Sequence, residues 1–342
     1  MQERAAEVDL VFAKDRGASP HEAGRPPRPT GLRRLAALDP REAEFARRGF
    51  PPCEPSAQGR LEAIGRAFIA GYGRALADAN PPALLRFAEE DGARRGFVME
   101  GAAMGAAIAD ALSWRGARLG GLLAQAGPRY GYLLHVGAGW AMARLPWRRG
   151  VIRRALDPVH HWLADDGMGF HDLYFHHGRV LAGWRRVRGA GYAPRAYAQG
   201  LGRALWFLGG ADPQAVRRLV AAMPQHERAD LWSGVGLACA YAGGADPQAL
   251  AALAATLPAD ARAGFRQGCA FAAEAHACAG PAPAHAAAVI RALLGAEPAA
   301  VAALVRAERA RLDASAAGPT PPYERWRRAV QRRLDGLPGD GR

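Results

Sequence analysis

A glycine followed two residues later by another small residue recurs seven times at near-regular spacing. No other feature of the chain constrains its fold as strongly. The copies are Gly71-x-Gly73, Gly101-x-Ala103, Gly137-x-Gly139, Gly167-x-Gly169, Gly200-x-Gly202, Gly234-x-Gly236 and Gly268-x-Ala270. Successive first glycines lie 30, 36, 30, 33, 34 and 34 residues apart. An aromatic stands two to five residues ahead of each pair: Phe68, Phe97, Tyr132, Trp162, Tyr197, Trp232 and Phe265. A glycine inside a helix costs about 1 kcal/mol relative to alanine. Repeating that cost at a fixed period makes sense if neighbouring helix backbones approach closely there.

The near-identical phrases "GYGRALADA" (71–79) and "GLGRALWFL" (200–208) also resemble a phosphate-binding loop. Neither follows a β-branched strand, and the chain holds no GxxxxGK[ST] motif, so that reading fails. The copies "GGADPQAVRRLVAAMP" (209–224) and "GGADPQALAALAATLP" (243–258) are offset by 34 residues. In each, Gly-Gly stops one helix, and Asp212 or Asp246 suits the N-cap of the next. Pro213 and Pro247 then suit the first helical position, where a missing N–H costs nothing.

A helical hairpin of this kind cannot bury its apolar faces alone, so copies must stack. The expected fold class is all-α: an αα-hairpin repeat, a tetratricopeptide-like solenoid of about seven units of ~34 residues. The expected division is a flexible arm over 1–45, a repeat domain over 46–310, and a C-terminal helix and tail over 311–342. The stretch "YERWRRAVQRRLDGL" (323–337) reads as one terminal helix.

The formal net charge is +13, but the 45 basic residues include a single lysine, Lys14, and are scattered among acids. That pattern does not predict a nucleic-acid partner. Cys53, Cys239, Cys269 and Cys278 form no CxxC pair and no secreted-type framework. No signal peptide and no uninterrupted apolar run of about 18 residues is visible. A cytoplasmic chain without a membrane span is expected.

Chemistry concentrates in "DPVHHWLADDGMGFHDLYFHHGRV" (157–180), which holds five of the ten histidines. On a helix, Asp172 and His176 share a face and form a carboxylate–imidazole pair suited to acid–base work. A metal centre at 160–177, with His135 or Glu100 as third ligand, stays open as an alternative. No HExxH spacing or Cys/His finger supports it, and no metal or cofactor is predicted.

A second signal is register. Glu100, Asp166, Gln199, Ser233 and Gln267 each precede a signature glycine, and His135 lies two residues before Gly137. Equivalent positions of stacked helices line one surface, which here becomes a groove of polar groups interleaved with aromatics. Candidate catalytic residues are therefore Glu100, His135, His171, Asp172 and His176. Candidate ligand contacts are Trp140, Asp166, Phe175, Gln199, Arg203, Trp206, Trp232 and Gln267. The competing reading, that the polar row caps helices and ties turns, stays open.

The strings "EFARRGF" (44–50), "EGAAMG" (100–105), "LHVGAGWAMARLP" (134–146), "DDGMGFHDLYFH" (165–176), "QGLGRALWF" (199–207) and "DLWSGVGLACAYAGG" (230–244) carry a family resemblance. The chain resembles a bacterial domain-of-unknown-function family, number 1702, whose members are similar to proteins encoded in enediyne polyketide gene clusters. The resemblance implies a part in making or handling a polyketide-derived small molecule, with a polyketide synthase or tailoring enzymes as partners. It transfers no catalytic residue. The expected function is an accessory protein of polyketide biosynthesis that binds a polyene-like intermediate in its groove and promotes a cofactor-free conversion. The alternatives are a protein–protein scaffold and the metalloenzyme centred on 160–177.

Overall fold

The computed structural model describes residues 36–113, 116–313 and 318–336, and every regular element among them is helical. In chain order the helices are α1 (Phe45–Arg48), α2 (Pro55–Ala77), α3 (Pro81–Asp91), α4 (Arg95–Ala111), α5 (Arg118–Arg144), α6 (Arg149–Arg154), α7 (Trp162–Leu181) and α8 (Ala193–Leu208). They continue with α9 (Pro213–Ala221), α10 (Arg228–Ala242), α11 (Pro247–Thr256), α12 (Ala259–Ala279), α13 (Ala284–Leu294), α14 (Pro298–Ala310) and α15 (Pro322–Leu334). The cap-plus-proline starts form as expected. Asp212 accepts from the Gln214 amide and Asp246 from the Ala249 amide, each ahead of a proline at the first helical position. Asn80 and Glu54 do the same for α3 and α2.

The signature-bearing helices α2, α4, α5, α7, α8, α10 and α12 stand side by side in chain order. Their glycines are the points of contact. A Cβ on Gly137 would lie 2.0 Å from the Glu100 carbonyl oxygen, one on Gly167 2.1 Å from that of Val136, and one on Gly200 1.8 Å from that of Asp166. The same holds for Gly234 against Gln199 and Gly268 against Ser233, both 1.9 Å. These first glycines face the preceding helix. The second glycines face the following one: Gly139 meets Ala164, Gly169 meets Tyr197, Gly202 meets Leu231 and Gly236 meets Phe265. No Cβ tolerates such distances, so the glycines are fixed by backbone approach. The first copy is shifted: Gly71 meets Val98, while Gly73 meets nothing within 4 Å.

The hairpins are less uniform than the spacing predicts. Short partner helices follow α2, α8, α10 and α12, but α4 leads directly to the long α5, which carries Pro128 inside it. Residues 182–192 between α7 and α8 form no helix and include Gly183, Gly189 and Gly191 at positive φ. The row also curls back on itself. Phe97 of α4 sits edge-on to Tyr241 of α10, and Arg95 and Arg129 both donate to the Ala279 carbonyl at the end of α12. The helices thus wrap around a shared interior that stays partly open to solvent.

Both ends of the described chain join this body. The Tyr72 hydroxyl donates to the Ala36 carbonyl, and Phe50 packs edge-on against Tyr174. The expected arm therefore overlaps the fold from residue 36 onward, and its residues 1–35 lie outside those described. At the other end, α15 packs on α12 and α14 and buries Tyr323, Trp326 and Arg327. Among the described residues no single helix is long and apolar enough to cross a membrane.

Candidate functional site

Where the helices touch through glycine, the residue just before each glycine is carried into the shared interior. Glu100 on α4 and Asp166 on α7 arrive there in this way. Trp140 and Arg203 lie three residues after Gly137 and Gly200, almost one turn on, and face the same space. The four side chains meet. Arg203 donates through Nη1 to Asp166 Oδ1 at 2.5 Å, and its Nη2 lies 3.6 Å from Glu100 Oε2. Trp140 Nε1 donates to Glu100 Oε1 at 3.1 Å. The ring of Phe170 lies under the Arg203 guanidinium at 5.1 Å.

This group is almost dry: Glu100 is 2% exposed and Arg203 5%. One cation faces two carboxyls, so full ionisation would leave an uncompensated buried negative charge. Burial pushes the carboxyls of both Glu100 and Asp166 above the ordinary range, while their proximity holds Arg203 charged. At 3.6 Å the Arg203 contact is beyond hydrogen-bond reach. Among the described residues Glu100 Oε2 is buried and has no hydrogen-bond partner. A protonated Glu100 with a free oxygen can deliver a proton to whatever occupies the adjoining space.

That space is apolar and aromatic. One cavity is lined by Phe68, Phe97, Trp140, Phe170, Tyr174, Phe175 and Phe207 together with the ionisable side chains Glu42, Glu100 and Arg203. A second runs between α5, α7, α8, α10 and α12 and is bounded by Tyr323 and Trp326 of α15. Arg203 lines both and stands at their boundary. The space open to a water-sized sphere is only about 40 Å³ in each, so both are narrow gaps between side chains.

The remaining polar row serves the second cavity. The Ser233 hydroxyl donates to Gln267 Oε1 at 2.9 Å, and Gln199 donates to Asp230 and to the Tyr192 hydroxyl, both at 3.2 Å. Arg327 enters from α15 and donates to Gln267, Tyr192, Asp230 and Glu324. Arg327, Asp230, Tyr192 and Glu324 are buried partners that the repeat register does not point to. Only the i, i+3 spacing of Glu324 and Arg327 on a terminal helix offered a sequence signal.

The other sequence candidates do not converge on Glu100. His135 turns to the 157 loop: its Nδ1–H donates to the Gly131 carbonyl at 2.6 Å and its Nε2 accepts the Asp157 amide at 3.0 Å. Both ring nitrogens are used, and burial pulls its pKa down to about 4, so it is a neutral structural tie. Asp172 does not pair with His176, because non-helical φ/ψ at His176 breaks the expected register. Asp172 instead accepts from Arg186 at 2.7 and 2.8 Å, from the Tyr197 hydroxyl at 2.8 Å and from His171 at 3.1 Å. His171, His176 and Phe175 line an outer cleft, and Phe175 also lines the aromatic cavity. Trp206 donates to the Gly243 carbonyl at 2.9 Å, and Trp232 packs edge-on to Phe265; neither lines the two cavities, so both are packing residues. Among the described residues no three His, Cys, Asp or Glu side chains come together to hold a metal ion, which leaves the 160–177 metal centre without a ligand set.

No curated protein and no solved structure matches the chain. A family model described as a protein of unknown function, DUF1702, matches residues 30–334, which spans every helix that builds the interior. The chain belongs to the DUF1702 family.

Proposed function

We propose that this chain takes up a long, unsaturated, polyketide-derived molecule in its aromatic interior and promotes its rearrangement without a bound cofactor, with Glu100 as the acid. The observation that carries the reading is Glu100 Oε2, which faces Arg203 at ion-pair distance but accepts no hydrogen bond and is buried against a cavity walled by aromatic rings. Protonated Glu100 gives its proton to one carbon of a double bond. The new C–H bond uses the π electrons, and the O–H electron pair stays on the carboxylate, where Trp140 N–H and Arg203 meet it. The resulting cation lies among the rings of Phe68, Phe97 and Phe170, whose faces favour positive charge. Loss of a proton from a neighbouring carbon back to Glu100 restores the acid and releases an isomer. Neither oxidant nor reductant is consumed.

The resemblance of the sequence strings to proteins of enediyne polyketide clusters supports a polyketide-derived ligand, and a cytoplasmic place of action accompanies that reading. A peptide-binding scaffold fits less well, since α15 and the contact between α5 and α12 narrow the interior that a peptide would need. The test is incubation of the purified chain with a conjugated polyene, followed by absorbance and mass. The expected result is binding, with a shifted absorption band at unchanged mass. Glu100→Gln should bind but not convert. Conversion at the wild-type rate by that variant removes Glu100 as the acid, and absence of both binding and conversion in the wild type removes the reading.

A further inference from the structure

We infer that the outer cleft over Phe175 seats an anionic end group, so that the ligand is an amphiphile with a carboxylate or phosphate at one end. The inference rests on the interior-ligand reading above and adds the chemistry of the ligand's other end. The cleft lies between the first residues described and helices α2, α4, α5 and α7. Its charged groups are Arg48, Arg144 and Arg186, with His171 and His176 beside them. Two of the three arginines are already engaged: Arg186 chelates Asp172, and Arg48 holds Glu42. Even so, Arg48 Nε is buried without an acceptor.

Arg144 differs. It is half-buried at the end of α5, its guanidinium rests over the Phe175 ring at 5.4 Å, and among the described residues no carboxylate comes within ion-pair distance of it. Burial pulls its pKa down, and Tyr72 and Glu42, which pairs with Arg48, only partly offset that. Burial likewise pulls His171 down to about 4, so it adds no charge at neutral pH. The cleft therefore carries one uncompensated positive charge with a planar fork suited to a bidentate anion. Phe175 connects this cleft to the interior. Its ring lines both spaces, sits edge-on to Trp140 at 6.0 Å, and carries Arg48 at 4.9 Å as well as Arg144. The next residue, His176, interrupts α7, so the helix is already broken where the ring would turn to admit a chain.

The test uses the full chain and parinaric acid, a fluorescent conjugated tetraene carboxylic acid, beside its methyl ester and the phosphate monoester of the corresponding alcohol. The expected result is that the acid binds roughly tenfold or more tightly than the methyl ester, the factor a charge-assisted hydrogen bond supplies. Arg144→Met should remove that preference while leaving ester binding unchanged, and Arg144→Lys should retain part of it. Tighter binding of the phosphate than of the acid assigns the end group to phosphate; the reverse assigns it to carboxylate. Equal binding of acid and ester by the wild type, or a preference that survives Arg144→Met, overturns the inference while the interior reading stands. Absence of binding by all three ligands overturns both.

Discussion

Arg203 and Arg327 are both buried cations with two carboxylates in reach, yet their surroundings are finished differently. Around Arg327, every carboxylate oxygen accepts a hydrogen bond. Asp230 takes Arg195, Gln199 and Arg327, and Glu324 takes Arg195, Arg327 and Arg328. Around Arg203, one cation serves two acids, and one oxygen of Glu100 is left over. A satisfied buried network rigidifies, whereas an incomplete one costs stability. The first group pins α15 over the end of the interior. The second has the electrostatics of a reactive centre, where perturbed acids cluster.

The contrast can be broken in graded ways. Arg327→Met leaves Glu324 Oε2 without a donor, takes one donor from each of Tyr192, Gln267 and Asp230, removes the buried cation between two carboxylates, and should cost roughly 3–5 kcal/mol. Its denaturant midpoint checks this, and a loss below about 1 kcal/mol would make α15 a loose cover. Gly200→Ala pushes a methyl group onto the Asp166 carbonyl, with an expected cost of roughly 1–3 kcal/mol or more. Gly73→Ala meets open space and should gain up to about 1 kcal/mol. Thermal unfolding of the two variants side by side separates contact glycines from incidental ones.

Acid should weaken the fold through His135 and His171. Each has a folded pKa of about 4 against an ordinary 6.5, so each binds its proton less readily when folded. Their contribution is complete above pH 6.5 and is lost as pH falls from there towards 4, by roughly 3 kcal/mol each at most. Urea unfolding across that window measures it. The smallest stability effect belongs to Glu100→Gln, within about 1 kcal/mol, since the amide keeps an acceptor for Trp140. Because burial raises the folded pKa of Glu100, the wild type should lose stability as pH rises above the ordinary carboxylate range. The glutamine variant should show a shallower slope, with Asp166 keeping its own share, and an unchanged slope would show that Glu100 contributes nothing to it.

Much of the helical framework is legible in the residues. The caps at Asp212 and Asp246 and the glycine period are local signals: both caps form, and every signature glycine except Gly73 meets the backbone of a neighbouring helix. The register of Glu100, Asp166, Gln199, Ser233 and Gln267 also points inward, because a residue beside a contact glycine has nowhere else to go. His135 defeats that logic: two residues from its glycine it lies on another face of the helix and ties a loop. Asp172 and His176 mislead because the i, i+4 rule assumes an unbroken helix. Arg144 passes unnoticed, since an unpaired arginine looks like any other in a chain with 45 basic residues.

What the sequence alone determined is the helical class, the points of backbone contact and the positions that face inward, because each follows from interactions within a turn or between adjacent repeats. Which inward residues meet was decided only by the tertiary structure. Glu100 and Arg203 are more than a hundred positions apart, and they approach because the row of helices curls until its later members touch its earlier ones. The curl accumulates from small packing offsets at every interface, and no local pattern encodes that sum.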